Sequence, residues 1–235
     1  MARVVTFDAG MTLVELDLDF LAQRLAQRGI VVSPAALRAA APAAWHHYDE
    51  RVDASVGAVS VHGRLWHELI GEIIAGAGAP SDTIGRAVEW LWEQQTAQNL
   101  FRAPIADMVA LARRLRADGV RTAVISNSEG RLAELLAEIG IADAFEHVID
   151  SGRLGIEKPD PRIFAHALEL LGVAPGQLID TPAVHVGDSW SADVGGALAA
   201  GWRAIWYGRR AEPRADPRVA HARDAGETAA ALARW

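Results

Sequence analysis

Two hydrophobic rhythms divide this chain. Val4 to Phe7 is a short, β-branched and largely apolar run, the pattern of a strand buried on both faces. It stops at Asp8 and Gly10, where the backbone is free to turn. A helical period then takes over. Leu16 to Arg28 repeats at helical spacing and closes at Gly29. Ser33-Pro34, a capping residue followed by proline at the first helical position, opens a helix to about Tyr48. Val52 to Val61 reads as a loop. His62 to Ala75 is helical and ends in Gly76-Ala77-Gly78, and Pro80-Ser81-Asp82 starts a further helix to about Gln98. The pattern predicts no strand between residues 14 and 98.

From Ala103 strands and helices alternate. Pro104 to Ala117 is a helix with the apolar face Ile105, Met108, Val109, Ala112 and Leu115. Val120–Ile125 is a buried strand, Arg131–Ile139 a helix and Ala144–Ile149 a short strand. A helix runs from about Pro161 to Leu171, a strand from Ala183 to Val186, a helix from about Ser191 to Ala200, and Arg203–Trp206 is the last clear strand. Alternation at this spacing predicts an α/β fold with a parallel sheet and right-handed crossovers. Residues 1–13 and 99–235 then form the core, and 14–98 an inserted all-helical domain. Residues 209–235 are rich in Arg, Ala and Pro and carry a weak helical signal near the end.

The bulk numbers narrow the function classes. A net charge of −7 offers no general surface for nucleic acid or an anionic membrane, so an anionic substrate needs a local cation. The absence of cysteine removes disulfides, thiolate metal sites and cysteine nucleophiles together. No basic-then-apolar leader precedes the first strand and no apolar run reaches membrane-spanning length, so the expected location is cytoplasmic. Nothing in the pattern sets an oligomeric state. Lys158 is the single lysine in a chain whose other cationic side chains are arginines, which marks a position where a compact ammonium is wanted.

Four polar segments fall at strand ends or beside them: Asp8 with Thr12, Ser126-Asn127, Lys158-Pro159, and Gly187-Asp188 with Asp193. In open α/β sheets the chemistry sits beyond the carboxyl ends of the strands. Each segment has a plain structural alternative. Asp8 reads equally as a turn residue, Ser126 as a helix cap, Lys158 as a solvated loop residue, Asp188 as an N-cap and Asp193 as a helix-surface charge. Four such coincidences in order are harder to accept than one.

Taken together, Phe7-Asp8-Ala9-Gly10-Met11-Thr12-Leu13, Val124-Ile125-Ser126-Asn127, Lys158-Pro159-Asp160-Pro161 and Val186-Gly187-Asp188 with Asp193 resemble the haloacid dehalogenase-like hydrolase superfamily. The resemblance extends to about Tyr207 and includes a helical cap inserted after the first motif. It implies a Rossmann-like core, an Mg²⁺-dependent aspartate nucleophile and, most often, phosphate-ester hydrolysis; the acidic chain and the aromatic residues of the cap favour a small phosphorylated metabolite as substrate. Carried over to this sequence, Asp8 is the nucleophile, and the carboxylates of Asp8 and Asp188 with the Gly10 carbonyl are the metal ligands. Lys158 neutralises nucleophile and phosphoryl oxygen, Thr12, Ser126 and Asn127 hold the substrate, and Asp193 holds metal-bound water or orients Lys158.

The pattern departs from the family at one place. The phosphatases carry a second aspartate two residues after the nucleophile as general acid and base; here that position is Gly10, and the usual glycine after it is Met11. A positioned acid is worth about 10²–10⁴-fold, so the loss weighs most on poor leaving groups. Three readings follow: a phosphatase with a good leaving group or a borrowed donor, a 2-haloacid dehalogenase-type enzyme, and a phosphate-binding protein without turnover. His46, His47, His62 and His67 are the cap donors on offer, each more simply a surface residue. The fourth motif, Gly187-Asp188 with Asp193, is the metal-binding form, where the dehalogenases place neutral residues. A phosphonate-cleaving variant needs a cap lysine, and residues 14–98 contain none. Trp45, Tyr48, Trp66, Trp90 and Trp92 are candidates for a pocket wall, and more simply core between cap helices.

Overall fold

The computed structural model describes residues 4–54, 62–174, 178, 183–208 and 215–235. Its Cα packing divides into two compact units, Met1–Leu16 with Phe101–Trp235, and Asp17–Leu100.

The first unit is built on a six-stranded sheet. Its strands are β1 (Val4–Phe7), β4 (Arg121–Ser126), β5 (His147–Asp150), β6 (Val184–Gly187), β7 (Arg203–Tyr207) and β8 (Val219–Ala222). They run parallel in the order β5-β4-β1-β6-β7-β8. The chain leaves β1 towards β4 and β5, then returns to the opposite side of β1 as β6. The strand order therefore reverses at β1, the place where α/β sheets open a crevice. Helices cover both faces. Val5, Phe7, Val124, Val186 and Ile205 pack with Met108 and Leu115 of α5 (Ala106–Ala117), Leu135 of α6 (Leu132–Glu138) and Leu232 of α10 (Ala225–Ala233). Val4, Ala123, Ile125 and Ala204 pack with Ile163 and Phe164 of α8 (Pro161–Leu170) and Ala197 of α9 (Gly196–Ala199). Burial on both faces is why the strands read as apolar runs with little alternation.

Beside the sheet, β2 (Val14–Leu16) pairs antiparallel with β3 (Phe101–Pro104), and Ser151–Leu154 forms the single turn α7. None of these three was expected, and β2 falls inside the stretch read as wholly helical. It is only three residues long and pairs across more than eighty positions of sequence, so no local alternation announces it. Strand β8 is likewise a difference, since β7 was the last strand expected. Its Val-Ala-His-Ala sequence carries little β signal and is placed by pairing with β7. The C-terminal helix is present as α10, with Asp224 accepting from the Glu227 N–H at its start.

The second unit is helical among its described residues: α1 (Leu18–Ala26), α2 (Pro34–Ala54), α3 (His62–Gly76) and α4 (Ser81–Glu93). Asp17 caps α1 through the Phe20 N–H, and Ser33 accepts from the Ala36 N–H at the start of α2. Leu21, Leu25, Leu37, Leu69, Ile70, Ile73 and Leu91 are buried. Helix α2 continues past Tyr48 through Ala54; the rest of the loop expected at Val52–Val61 lies outside the described residues. No helix among the described residues is long and apolar enough to cross a membrane.

Candidate active site

Asp8 stands where β1 ends. Its N–H donates to the Val186 carbonyl at 2.8 Å, so the residue is still pinned to β6 as its side chain leaves the sheet. The chain then folds back tightly: the Ala9 carbonyl accepts from the N–H groups of Leu13 and Val14 at 2.8 and 3.0 Å. Met11 holds φ +54° in this turn, a left-handed conformation rare for a residue with a Cβ. Thr12 is fully buried, and its Oγ1 has no hydrogen-bond partner among the described residues.

Lys158 reaches Asp8 from the segment before α8. Its ammonium donates to Asp8 Oδ1, Asp193 Oδ1 and the Ile125 carbonyl, each at 2.6 Å. The three donors of an ammonium are thereby matched by three acceptors, in a site where the lysine side chain is 2% exposed. Asn127 fixes the lysine from behind. Its carboxamide oxygen accepts from the Lys158 N–H at 2.8 Å and its nitrogen donates to the Lys158 carbonyl at 2.9 Å. Asn127, expected to touch substrate, engages both ends of its amide with the lysine backbone. Ser126 is buried at the end of β4, the strand beside β1.

Asp188 and Asp193 come from the far side of β1. Asp188 follows β6, and its carbonyl accepts from the Trp206 indole N–H at 2.9 Å. Asp193 lies on the π-helical turn Trp190–Gly195; its Oδ2 accepts from the Ser189 N–H at 2.8 Å and its Oδ1 from Lys158. This carboxylate sits where a side chain on residue 187 would otherwise be. A Cβ on Gly187 would lie 2.3 Å from Asp193 Cγ, whereas one on Gly10 would find its nearest neighbour, Asp8 Oδ2, at 4.0 Å. Gly187→Ala is therefore expected to lose at least about 1–3 kcal/mol in urea unfolding, with Gly10→Ala close to parent. Equal midpoints for the two would contradict this packing.

Carboxylate oxygens of Asp8, Asp188 and Asp193 lie within 4.8 Å of one another. Three carboxylates against one ammonium leave two negative charges when all are ionised, and the donors are hard oxygens. That set fits a hard divalent cation. The electrostatics point the same way. Burial pushes the Asp8 carboxyl above the ordinary carboxylate range; Lys158 opposes this and Asp193 reinforces it. Burial also works to raise Asp193, but the Lys158 ammonium and the His185 ring hold it well below that range. Lys158, which burial alone would lower, is held above the usual lysine range by Asp193 and Asp8. Burial thus opposes a charge on Asp8, a cost that a cation beside it would offset.

Sequence reasoning missed His185 and Thr6. His185, in β6, is fully buried between Asp193 and Thr6, and burial pushes its imidazole below the usual histidine range while Asp193 opposes. The available signal was a lone polar residue inside a central apolar strand.

In the helical unit the histidines hold local partners. His47 Nδ1 lies 2.8 Å from Glu72 Oε2, His67 Nδ1 lies 2.6 Å from the Gly63 carbonyl, and exposed His46 faces Glu50 at 3.4 Å. The His62 side chain lies outside the described residues. The aromatics pack within the unit: Trp66 on Trp92 at 5.1 Å, Trp45 on Tyr48 at 5.2 Å, and Trp90 under the Arg24 guanidinium at 4.3 Å.

Asp8, Lys158, Asp188 and Asp193 thus meet at the switch point of a parallel α/β sheet, where such sheets open a crevice. The chain belongs to the haloacid dehalogenase-like hydrolase family, whose sequence model matches residues 2–201. It is 35% identical over 147 residues to the phosphoserine phosphatase of Thermus thermophilus, covering 62% of this chain and 55% of that protein. It is 31% identical over 137 residues to the bovine (Bos taurus) haloacid dehalogenase-like hydrolase domain-containing protein 3, covering 58% and 52%. The chain thus spans about half the length of these curated relatives. Among solved structures, the 2-haloacid dehalogenase of Pseudomonas syringae pv. Tomato is similar over 100% of both chains, at 26% identity and TM-score 0.58.

Proposed function

We propose that this protein is a Mg²⁺-dependent phosphatase that acts on a small phosphorylated metabolite through an aspartyl-phosphate on Asp8, with residues 1–13 and 99–235 as catalytic core and 14–98 as cap. The observation that carries the reading is the trio Asp8, Asp188 and Asp193 with Lys158 bridging two of them at 2.6 Å. The phosphatase named among the relatives supports it.

Asp8 Oδ1 takes the Lys158 ammonium, and among the described residues nothing hydrogen-bonds Oδ2. Oδ2 is the oxygen free to attack phosphorus. The bond to the leaving group breaks as the new P–O bond forms, and Lys158 offsets charge on the transferring group. Water then attacks the phosphorus, restores the Asp8 carboxylate and releases inorganic phosphate. Asp8, Asp188 and the Gly10 carbonyl would hold Mg²⁺, which when bound offsets the repulsion between carboxylate and phosphate. Asp193 supports the site through Lys158. Thr12 supplies a buried hydroxyl whose oxygen has no partner among the described residues, fit for a phosphoryl oxygen, and Ser126 supplies another at the end of β4. Asn127 serves by placing Lys158. Because residue 10 is glycine, no side chain there gives the leaving group a proton, so groups that depart as anions are preferred.

Hydrolysis of acetyl phosphate and p-nitrophenyl phosphate, with Mg²⁺ and with EDTA, tests the reading. Turnover that needs Mg²⁺ is expected with both. Gly10→Asp is expected to extend it to alkyl phosphates by about 10²-fold or more. Metal-independent release of halide from 2-haloacids, with no phosphate released, would overturn the proposal in favour of the dehalogenase-type reaction. Phosphate binding without turnover would favour a binding protein.

A further inference from the structure

His185 lies between two valines of β6 and is fully buried. Its Nε2 is 3.1 Å from Asp193 Oδ1, its Nδ1 is 2.8 Å from Thr6 Oγ1, and its ring packs edge-on against Phe164 at 5.2 Å. Thr6 and His185 are register partners on β1 and β6, and Thr6 is two residues before Asp8 on the same face of the strand. The contacts close a circuit. Thr6 meets His185, His185 meets Asp193, Asp193 meets Lys158, and Lys158 meets Asp8, which returns to β1.

The direction of each bond follows from the donors on hand. Asp193 Oδ1 accepts from Lys158 and Oδ2 from the Ser189 N–H, so a carboxylate there accepts from the imidazole as well. That puts the ring proton on Nε2. A neutral imidazole has one N–H, which leaves Nδ1 an acceptor and makes the Thr6 hydroxyl its donor.

We propose that Thr6 and His185 are positioning residues: Thr6 fixes the Nε2–H tautomer of His185, and His185 aims Asp193 Oδ1 at the lysine that serves Asp8. The kinetic arm of the test rests on the phosphatase reading; the tautomer arm does not. At metal sites, loss of an outer contact that orients the inner groups typically costs about 10–100-fold in affinity or activity, and the same scale is expected for a contact that aims Asp193 at Lys158.

The tautomer is read by ¹⁵N NMR of histidine-labelled protein at pH 7, with His185 assigned by the signals lost in His185→Gln. A neutral ring protonated on Nε2 is expected. In Thr6→Val the Nδ1 resonance is expected to move towards that of an unbonded pyridine-type nitrogen, with Nε2 still protonated. A ring protonated on Nδ1 or on both nitrogens, or an Nδ1 resonance indifferent to Thr6→Val, would overturn the proposal. For turnover of p-nitrophenyl phosphate with Mg²⁺, His185→Leu is expected to lower kcat about 10–100-fold with KM little changed. His185→Gln, which keeps an N–H donor near the Nε2 position, is expected to recover most of it. Unfolding midpoints of both variants are measured alongside. Equal kcat in the two, or a kcat that tracks the midpoints alone, would overturn positioning as their role. Should the Leu variant fail to fold, Thr6→Val carries both arms. Should no phosphate be hydrolysed at all, the tautomer still decides.

Discussion

Asp8→Asn is expected to cut turnover of p-nitrophenyl phosphate on the order of 10⁴-fold or more, leaving the chain folded. The amide is nearly the size of the carboxylate but cannot attack phosphorus. Lys158 keeps Asp193 and the Ile125 carbonyl, so the ammonium is not stranded. The fold has little to lose, because burial already works against a charge on Asp8. Activity is followed by phosphate release and folding by circular dichroism. Turnover within tenfold of the parent, in a preparation free of contaminating phosphatase, would remove Asp8 from the role of nucleophile.

Lys158→Met is expected to be the costliest change for the fold. It leaves Asp8 and Asp193 buried and facing each other without their shared cation, a loss of about 3–5 kcal/mol. A divalent cation can replace part of that charge. The urea midpoint of the variant should therefore rise on adding Mg²⁺ by more than the parent's does, and EDTA should abolish the rise. A variant as stable as the parent in EDTA would mean that the lysine contributes little to holding these carboxylates. A midpoint indifferent to Mg²⁺ would count against the cation site.

Much of this was legible in the chain because the signals were local. Val4–Phe7 gave β1, and the strand-end motifs gave Asp8, Lys158, Asp188 and Asp193, which the fold brings together although up to 185 positions separate them. The polar residue in β6 was equally visible but has no meaning until β6 lies beside β1 and His185 meets Thr6. Strands β2, β3 and β8 were missed for a related reason. Each is at most four residues long and is stabilised by a partner far along the chain or by an edge, so its own sequence says little. Asn127 shows the reverse case. The motif marks the residue, but only the hydrogen bonds to the Lys158 backbone say what the amide does.

The single lysine has a practical consequence. Acylating reagents such as N-hydroxysuccinimide esters find one side-chain amine in the whole chain, and it is 2% exposed behind two carboxylates. The folded surface carries guanidinium groups instead, which these reagents leave untouched. Modification at Lys158 therefore requires the sheet's carboxyl-terminal edge to open, and its rate becomes a clock for that opening. A slower rate with Mg²⁺ and phosphate than without them would then report binding at Lys158 by chemistry alone, without a substrate being turned over.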